Sequence, residues 1–419
     1  ALTLNYAGVT PTAKYVSSSN YGFTLRDEMK FFKWLKTDLS LAANFTRGKG
    51  DAGAGSFEGS YLGMPSYYML QDADGRPLHI KHRKSEYEMQ RLMGIGLNDE
   101  HYSPITNRQE EFFENNSSYY RMQLGFNVIF APWLNLDVRY QTEKSYYRDR
   151  SVATKYSYKM RHLINDAAQY NVANKELKLN IPAGGMLVEK RGDNPSYTFR
   201  TQLNFAKEIG KHYVTAIAGA ERRQELERAT SVNYVGYDDQ TLGYKPVNTL
   251  MFFDLQGTQS LSGYFTEWDP LQDNYVSEFD NRFVAFYANA SYAYDNRYDF
   301  TGSIRIDQSN LFGTDPKYQY RPLWSLGASW HLSNEHFMAG RADWLNNLTL
   351  RLTYGIGGNV PKNGGPFLTI REAAYTDWSK DFFAEIKNPP NKSLRWEKTA
   401  TLNVGVDFAV LNNRLWGSL

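Results

Sequence analysis

Strict alternation of apolar and polar side chains recurs along most of this chain. Between residues 399 and 408 the apolar side chains share one face and the remaining ones share the other: Ala400, Leu402, Val404, Val406 and Phe408 against Thr399, Thr401, Asn403, Gly405 and Asp407. Because successive side chains of a strand point to opposite faces, this pattern predicts a β-strand with one polar face. The alternation recurs over residues 35–46, 122–128, 134–141, 298–307, 324–332 and 348–354. We predict an all-β chain of about twelve antiparallel strands.

The lengths of the strands and connections distinguish a membrane barrel from a soluble sheet. The alternating segments run for roughly 9–12 residues, which matches a tilted membrane crossing and exceeds the usual soluble strand. Short turns and long loops follow each other: turns near 31–34, 131–133, 207–211, 295–297 and 411–413, loops over 47–118, 148–195, 226–280 and 356–396. In outer-membrane barrels the short turns are periplasmic and the long loops extracellular. Connections 309–321 and 333–346 are similar in length, so their sides follow from counting strands.

Aromatic residues make up 15% of the chain and gather near the predicted strand ends. Phe31, Phe32, Trp34, Trp133, Trp344 and Trp416 lie at or beside short turns, and Tyr146 and Tyr147 lie toward the long loops. Two interfacial girdles of a membrane barrel have this arrangement, although aromatic residues also favour strands in general. The mean hydropathy of −0.58 and the lack of a long apolar run exclude a transmembrane helix. They do not exclude barrel strands, whose alternation averages to a hydrophilic value.

The charged residues give no reason to expect a nucleic-acid partner. The chain has 47 Lys and Arg against 45 Asp and Glu, and the basic residues are spread among acidic ones. A nucleic-acid surface needs clustered basic residues. The lack of cysteine excludes disulfides, thiolate metal sites and cysteine nucleophiles. The N-terminal residues lack the features of a signal peptide, so we expect a mature form or an internal fragment.

No local motif predicts catalysis or metal binding. Asp72, Asp74 and Gly75 have a calcium-like spacing but lack a third ligand and a distal Glu, which favours a β-turn. His79 and His82 lie on no predicted helix and have no third ligand nearby, which favours exposed loop histidines. Residues 355–359 are glycine-rich but open no helix, so they indicate a strand-to-loop turn and not a nucleotide loop. We therefore expect no catalytic residues, no metal site, no cofactor and no enzyme.

Aromatic side chains of the long loops are the candidate binding residues. They are Tyr67, Tyr68, Tyr237, Tyr244 and Trp268. Such side chains can stack on sugars or clamp a peptide, and they can equally pack the loops on one another. The polar strand faces predict an interior filled by water or by a plug.

Three stretches carry a family resemblance. The strongest runs from Asn388-Pro389 through Leu394-Arg395-Trp396-Glu397 to 403–408 and 411–415, the second covers 324–338, 348–355 and Gly358-Asn359, and the weaker third is 72–78. In their residues, order and spacing they resemble the SusC/RagA family of TonB-dependent outer-membrane transporters of Bacteroidetes, with Arg395 where the family has Lys.

The resemblance implies a barrel of about 22 strands in the intact protein, of which residues 1–419 form the central part as one domain. It also implies a plug domain, a segment that contacts the TonB complex and C-terminal strands, which we expect outside this chain. The implied function is active import of a glycan or peptide oligomer across the bacterial outer membrane by a multi-pass barrel, with a SusD-like surface lipoprotein as partner. A passive porin and a structural or adhesive surface barrel remain alternatives.

Overall fold

One antiparallel sheet of thirteen strands dominates the computed structural model. It describes residues 1–9, 16–51, 67–80, 83–248, 251, 255, 259–261, 263–264, 274–313, 315, 317, 319–338, 344–359, 365–376, 378–379, 381–395 and 397–419. The strands of this sheet are β1 Leu2–Val9, β2 Ser17–Phe32, β3 Leu35–Asp51, β4 Glu111–Ala131, β5 Leu134–Ala153, β6 Gly185–Ile209, β7 His212–Tyr237, β8 Tyr275–Tyr294, β9 Tyr298–Ser309, β10 Pro322–His331, β11 Leu345–Gly357, β12 Thr399–Val410 and β13 Leu415–Ser418.

Each strand pairs with its neighbours along the chain, so the order in the sheet is the order in the sequence. All pairs are antiparallel, which confirms the predicted fold class. Among the described residues no helix has both the length and the apolar character to cross a membrane. The described parts of the loops contain three short hairpins: Gln169–Asn171 with Glu176–Lys178, Gln259–Ser260 with Gly263–Tyr264, and Thr369–Thr376 with Asp381–Asn388.

The short turns lie where the alternation predicts them, between β2 and β3, β4 and β5, β6 and β7, β8 and β9, and β12 and β13. The β8–β9 turn places Asp295 and Asn296 at φ 51° and 53°. Asp and Asn tolerate this left-handed conformation better than most residues, which suits a tight hairpin. Counting strands puts connection 332–344 on the short-turn side and 310–321 on the long-loop side.

The strands extend much further toward the long loops than predicted. β6 has 25 residues and β7 has 26, so the prediction of loops over 148–195 and 226–280 is wrong at its boundaries. Likewise β3 continues to Asp51 and β4 begins at Glu111. In these extensions both faces carry polar residues, so the hydrophobic alternation ends while the backbone pairing continues.

The register places the apolar faces of neighbouring strands side by side. Leu39 of β3 lies opposite Leu124 of β4, which lies opposite Tyr140 of β5. Tyr140 in turn lies opposite Phe199 of β6. We call this side of the sheet the outward face, because its large apolar side chains are exposed, and the opposite, polar side the inward face. Phe31, Phe32, Trp34, Trp133, Trp344 and Trp416 are also exposed near the short turns, as expected for a girdle. Tyr147 differs from Tyr146, because its ring lies over Gly192 on the inward face.

Three short helices whose bounds lie within the described residues occur in the long loops and were not predicted. They are α1 Glu86–Gly94, α2 Pro104–Glu110 and α3 Tyr158–Asp166. Each has fewer than ten residues, so no extended helical periodicity marks it in the sequence. α1 and α3 nevertheless carry a recognisable start signal, since Ser85 Oγ accepts from Glu88 N and Ser157 Oγ accepts from Met160 N.

Candidate functional site: the inward wall and its loop cap

The inward face of β3–β6 carries polar side chains that bond to one another across the strands in two groups. Asp38 accepts a hydrogen bond from Gln123 Nε2 at 3.3 Å, and Arg139 Nη2 lies 3.9 Å from the same carboxylate. Arg139 also donates to Asp137 Oδ2 at 3.3 Å. Asn135 Oδ1 accepts from Asn127 and Asn204, at 3.0 and 2.8 Å, which links β4, β5 and β6. Alternation places all these side chains on one face, so the interior is lined by charge and amide groups.

The polar contacts continue across β6–β9. Gln202 donates to Asn204 at 2.6 Å and accepts from the hydroxyl of Tyr287 at 2.8 Å. The Tyr287 ring crosses above Gly219, where a Cβ would lie 2.5 Å from the ring, so a side chain there would displace it. Arg305 lies 5.8 Å from the centre of the same ring. Tyr287 therefore joins the two halves of the inward wall.

The inward face of β9–β12 is polar in the same way. His331 Nε2 lies 2.7 Å from Asp299 Oδ2, and its Nδ1 lies 3.0 Å from Thr349 Oγ1. Arg351 Nη2 donates to Asp407 Oδ1 at 2.7 Å. These contacts confirm the predicted polar faces of the later strands.

Loop segments pack against the upper end of this inward face. We define the loop cap as residues 83–110, 154–184 and 238–261 where described. Met160 and Ile164 of α3 are buried against Ala153 of β5, Met186 of β6 and Val235 of β7. Those three strand residues share the face of Asp137, Arg200 and Ala229, which is the inward face. The loop containing α3 therefore folds back over the interior of the wall.

Buried polar contacts link two segments of the loop cap. Asn165, at the end of α3, is fully buried. Its Oδ1 accepts from the backbone N of Asn98 and its Nδ2 donates to the backbone O of Asn98, both at 2.8 Å. Nδ2 also lies 2.8 Å from Glu100 Oε1. A leucine at this position would leave all three partners without these bonds, so the amide specifies how the first two long loops meet.

Glu100 is the charged centre of the loop cap. Burial raises the pKa of this carboxyl, but hydrogen bonds from His162, Lys84 and Asn165 outweigh burial and lower the pKa to about 2. His162 Nδ1 lies 2.9 Å from Glu100 Oε2, and the Lys84 ammonium pairs with Oε1. Glu100 is therefore ionised at neutral pH and holds two basic side chains from different segments.

The sequence-predicted aromatic residues do not form one cluster. Tyr67 and Tyr68 stack edge to face at 5.6 Å, and Tyr67 is 78% exposed. Tyr244 is exposed and packs against Tyr234 at 5.0 Å. Tyr237 is buried, and its hydroxyl accepts from Arg150 Nη2 at 3.0 Å, so it serves the packing of the strand ends. Trp268 lies outside the described residues.

Two other sequence interpretations concern the first long loop. Asp72 Oδ1 accepts from the backbone N of Asp74 and Arg76, and Gly75 has φ 79°, which confirms a turn. Across the described part of the chain no group of three or more metal-ligating side chains comes together. His79 is exposed and stacks on His101 at 5.1 Å, while His82 lies outside the described residues.

Residues 355–357 complete β11, as the strand-to-loop interpretation predicts.

Sequence and structure comparisons agree on one kind of protein. Residues 94–419 match the family model "TonB dependent receptor-like, beta-barrel". The TonB-dependent receptor P26 of Formosa agariphila is 24% identical over 247 residues, which cover 58% of this chain and 23% of that receptor. The TonB-dependent receptor SusC of Bacteroides thetaiotaomicron is 31% identical over 147 residues, which cover 33% of this chain and 14% of SusC. The chain thus aligns with less than a quarter of the length of either relative.

The fold also matches a solved structure. A chain of the RagAB peptide importer in its closed-closed state superposes with a TM-score of 0.71 at 18% identity. The match covers 100% of this chain and 41% of the other. At this identity the likeness establishes the fold alone.

Proposed function

This chain belongs to the TonB-dependent receptor β-barrel family, and from that premise we propose that the intact protein actively imports a nutrient oligomer, a glycan or a peptide. Members of this family are outer-membrane transport proteins and not enzymes. We further propose that the intact protein is a multi-pass barrel in the bacterial outer membrane. Its long loops then face the outside of the cell and its short turns face the periplasm. The predicted role of residues 1–419 as one central barrel domain belongs to the same proposal.

The observation that carries the proposal is the loop cap folded over a polar interior. A passive porin keeps a water-filled channel, whereas here α3 packs its apolar side chains onto the inward face of three strands. Such a cap covers part of the interior, which favours a transporter whose loops open and close rather than a channel that stays open. Coupling to an energy source through TonB would drive this opening, and closing loops or domains commonly gate access to a bound substrate.

A body inside the wall is part of the same proposal. The inward face carries charged and amide side chains such as Asp38, Arg139 and Asn135, and such a face meets either water or a plug. We propose that another part of the protein contributes a plug domain there, together with the segment that contacts the TonB complex.

We also propose that exposed loop tyrosines contact substrate or a SusD-like lipoprotein. Tyr67, Tyr68 and Tyr244 retain the exposure that this role needs. Tyr237 is used in packing and is less suited to it, and Trp268 stays a candidate on sequence grounds alone. Tyrosine offers a large apolar face with a polar tip, which suits sugars, peptides and protein interfaces.

The decisive experiment measures energised uptake. The gene encoding the full-length protein is deleted and restored, and uptake of labelled oligosaccharides and of labelled peptides is followed with and without a protonophore. Import that requires both the gene and the proton gradient supports the proposal. Gene-dependent uptake that survives the protonophore indicates a passive porin, and unchanged uptake of every probe after deletion indicates a structural or adhesive barrel.

A further inference from the structure

The outward face changes character abruptly above its apolar band. On β3 the outward side chains run Leu35, Thr37, Leu39, Leu41, Ala43 and Phe45, and the next one is Arg47. The register continues this step across the sheet: Arg47 lies opposite Asn116, Arg148 opposite Arg191, and Arg191 opposite Thr230. A row rich in arginine thus borders the apolar band on its long-loop side.

The height of this row matches a lipid headgroup. From Leu35 to Phe45 the strand advances ten residues, about 33 Å at ~3.3 Å per residue. A tilt of about 40° reduces this to about 25 Å along the membrane normal, which equals the usual apolar height of an outer-membrane barrel. Arg47, Arg148 and Arg191 therefore lie just beyond the hydrocarbon, where the polar headgroups begin.

A large groove accompanies the arginine row. Its volume is about 1070 Å³, and its lining comes chiefly from outward-facing residues of β2–β7. Four arginines and one aspartate line it: Arg47, Arg148, Arg191, Arg228 and Asp193. Tyr21, Phe45 and Tyr146 line the same groove and border the apolar band. The groove therefore presents cations and aromatic surface side by side.

A buried carboxylate organises the arginines. Glu189 has a side chain only 6% exposed and accepts from Arg148 Nε at 2.7 Å and from Arg191 Nε at 2.6 Å. Arg150 Nε lies 3.7 Å from the same carboxylate. Arg150 also pairs with Glu114 of β4, 3.5 Å away. Three guanidinium groups against two carboxylates leave this cluster with a positive charge, and the ion pairs fix its geometry. Arg47, which lines the same groove, makes no ion pair within the described residues.

We propose that this groove binds the phosphorylated headgroup of an outer-leaflet lipid. Guanidinium groups held in place offer paired donors to phosphate oxygens, and the apolar band directly beneath would receive the acyl chains. A free anion would use the arginines but not the adjoining apolar surface, which is why the geometry favours an amphiphile. The choice of leaflet rests on the proposed orientation, with the long loops outside the cell.

The test uses the full-length protein in detergent and native mass spectrometry. The probes are a monophosphorylated lipid A, its dephosphorylated counterpart and inorganic phosphate. Arg47→Gln leaves every described ion pair intact, and Arg47→Gln with Arg191→Gln still leaves Arg148 on Glu189. Arg200→Gln is the matched control, because Arg200 lies on β6 like Arg191 but on the inward face.

We expect the double variant to bind the phosphorylated lipid about tenfold more weakly or worse, because it loses charge-assisted hydrogen bonds from two guanidinium groups. Arg47→Gln alone should show a smaller loss, Arg200→Gln none, and the dephosphorylated lipid should bind the native protein about as weakly as the phosphorylated lipid binds the double variant. Equal binding of the phosphorylated lipid by native protein and double variant would overturn the proposal. So would equal affinity for inorganic phosphate and lipid, which would mean an adventitious ion only. Loss of a dimer in the variant, without loss of lipid, would assign the groove to contacts between copies.

The proposed lipid site and the proposed import can be disproved independently. Lipid binding is measured on purified protein without transport, and uptake is measured in cells with the protonophore. Unchanged uptake alongside absent lipid binding removes only the lipid site. Absent uptake alongside intact, arginine-dependent binding removes only the import proposal.

Discussion

Leu352 of β11 and Val404 of β12 lie directly opposite each other on the outward face, 51% and 72% exposed. Their neighbours Thr353 and Asn403 are also paired, but on the inward face, where Asn403 Nδ2 lies 3.4 Å from Thr353 Oγ1. One residue along a strand therefore separates a position facing hydrocarbon from a position facing a polar interior.

The first prediction compares arginine at these two adjacent positions. Val404→Arg should greatly reduce the yield of folded barrel, because an arginine near the bilayer midplane costs ~2–4 kcal/mol. Asn403→Arg should be tolerated, since its side chain faces the polar interior. The measurement is the amount of heat-modifiable, folded full-length protein in outer-membrane fractions. Equal yields for the two variants would mean that the assignment of faces is wrong.

The faces of the strands could be predicted from the sequence, but their ends could not. Alternation identified Leu402, Val404 and Asn403 correctly because one face meets lipid and the other does not. Above the apolar band this contrast disappears: the outward positions of β5 become Lys144, Tyr146, Arg148 and Arg150, yet pairing continues to Ala153. Hydrophobic periodicity depends on the environment of a strand, and it disappears where a strand leaves the membrane.

The second prediction concerns the sides of the membrane. Because the chain has no cysteine, a single cysteine can be placed at Gln240, in a long loop, or at Asn296, in a short turn. Both positions are exposed. In intact cells a membrane-impermeant maleimide should label the cysteine at 240 and should reach that at 296 only after the outer membrane is opened. Labelling at 296 in intact cells would invert the orientation. Ser231 does not suit this purpose, because it is buried within β7.

The third prediction tests the contact between the first two long loops. Asn165→Leu should release the loop cap, because the backbone of Asn98 and the carboxylate of Glu100 would each lose a buried partner, at about 1–3 kcal/mol per unsatisfied group. Hydrogen exchange over residues 84–110 and 158–166 should accelerate by at least tenfold, while the exchange of β4 and β5 stays slow. Asn174→Leu is the control, because Asn174 is exposed and bonds only within its own hairpin. Equal hydrogen-exchange rates in the two variants would show that Asn165 does not link the two loops.

The fourth prediction is an acid dependence of the loop cap. The pKa of Glu100 is lowered from 4.5 to about 2 in the folded protein, so its ionised form favours the folded cap. This contribution is fully present above pH 4.5 and is lost as the pH falls toward 2, with a magnitude on the order of 3 kcal/mol. Hydrogen exchange of α3, corrected for its intrinsic pH dependence, should reveal loosening across this window and none from Glu100 between pH 5 and 7.

Glu100→Gln is the matched variant for the acid dependence. It keeps the size of the side chain but removes its titration, so its cap should be weaker at neutral pH and should change less between pH 4.5 and 2. A variant that loosens over that window as steeply as the native protein would assign the acid dependence to other groups.

The loop cap itself could not be derived from the sequence. Asn98, Glu100 and Asn165 are ordinary polar residues in loops, and only the fold brings them together across more than sixty residues. Ser85 and Ser157 were the available signals, since each caps a short helix. Tyr67, Tyr68 and Tyr244 lie in long loops, whereas Tyr237 was expected in a loop and is the last residue of β7. Composition could not distinguish the buried Tyr237 from the exposed Tyr244. Burial of a loop residue depends on how separate loops pack, and this packing produces no periodic pattern in the sequence.

The last prediction concerns the partner at the long-loop end. If the intact protein works with a SusD-like lipoprotein, the two should co-purify in mild detergent, and exposed loop tyrosines should contribute to the contact. Tyr67→Ala with Tyr244→Ala should reduce recovery of the lipoprotein, because tyrosines at the centre of an interface often contribute ~2 kcal/mol or more each. Both side chains are exposed, so the barrel should fold normally. Tyr237→Phe is the control: it removes one hydroxyl bonded to Arg150, which should cost about 1 kcal/mol of local stability without touching a docked partner. Full recovery of the lipoprotein by the double variant would exclude these tyrosines from the contact. A barrel purified repeatedly without any lipoprotein would instead count against the partnership and favour the porin or structural alternatives.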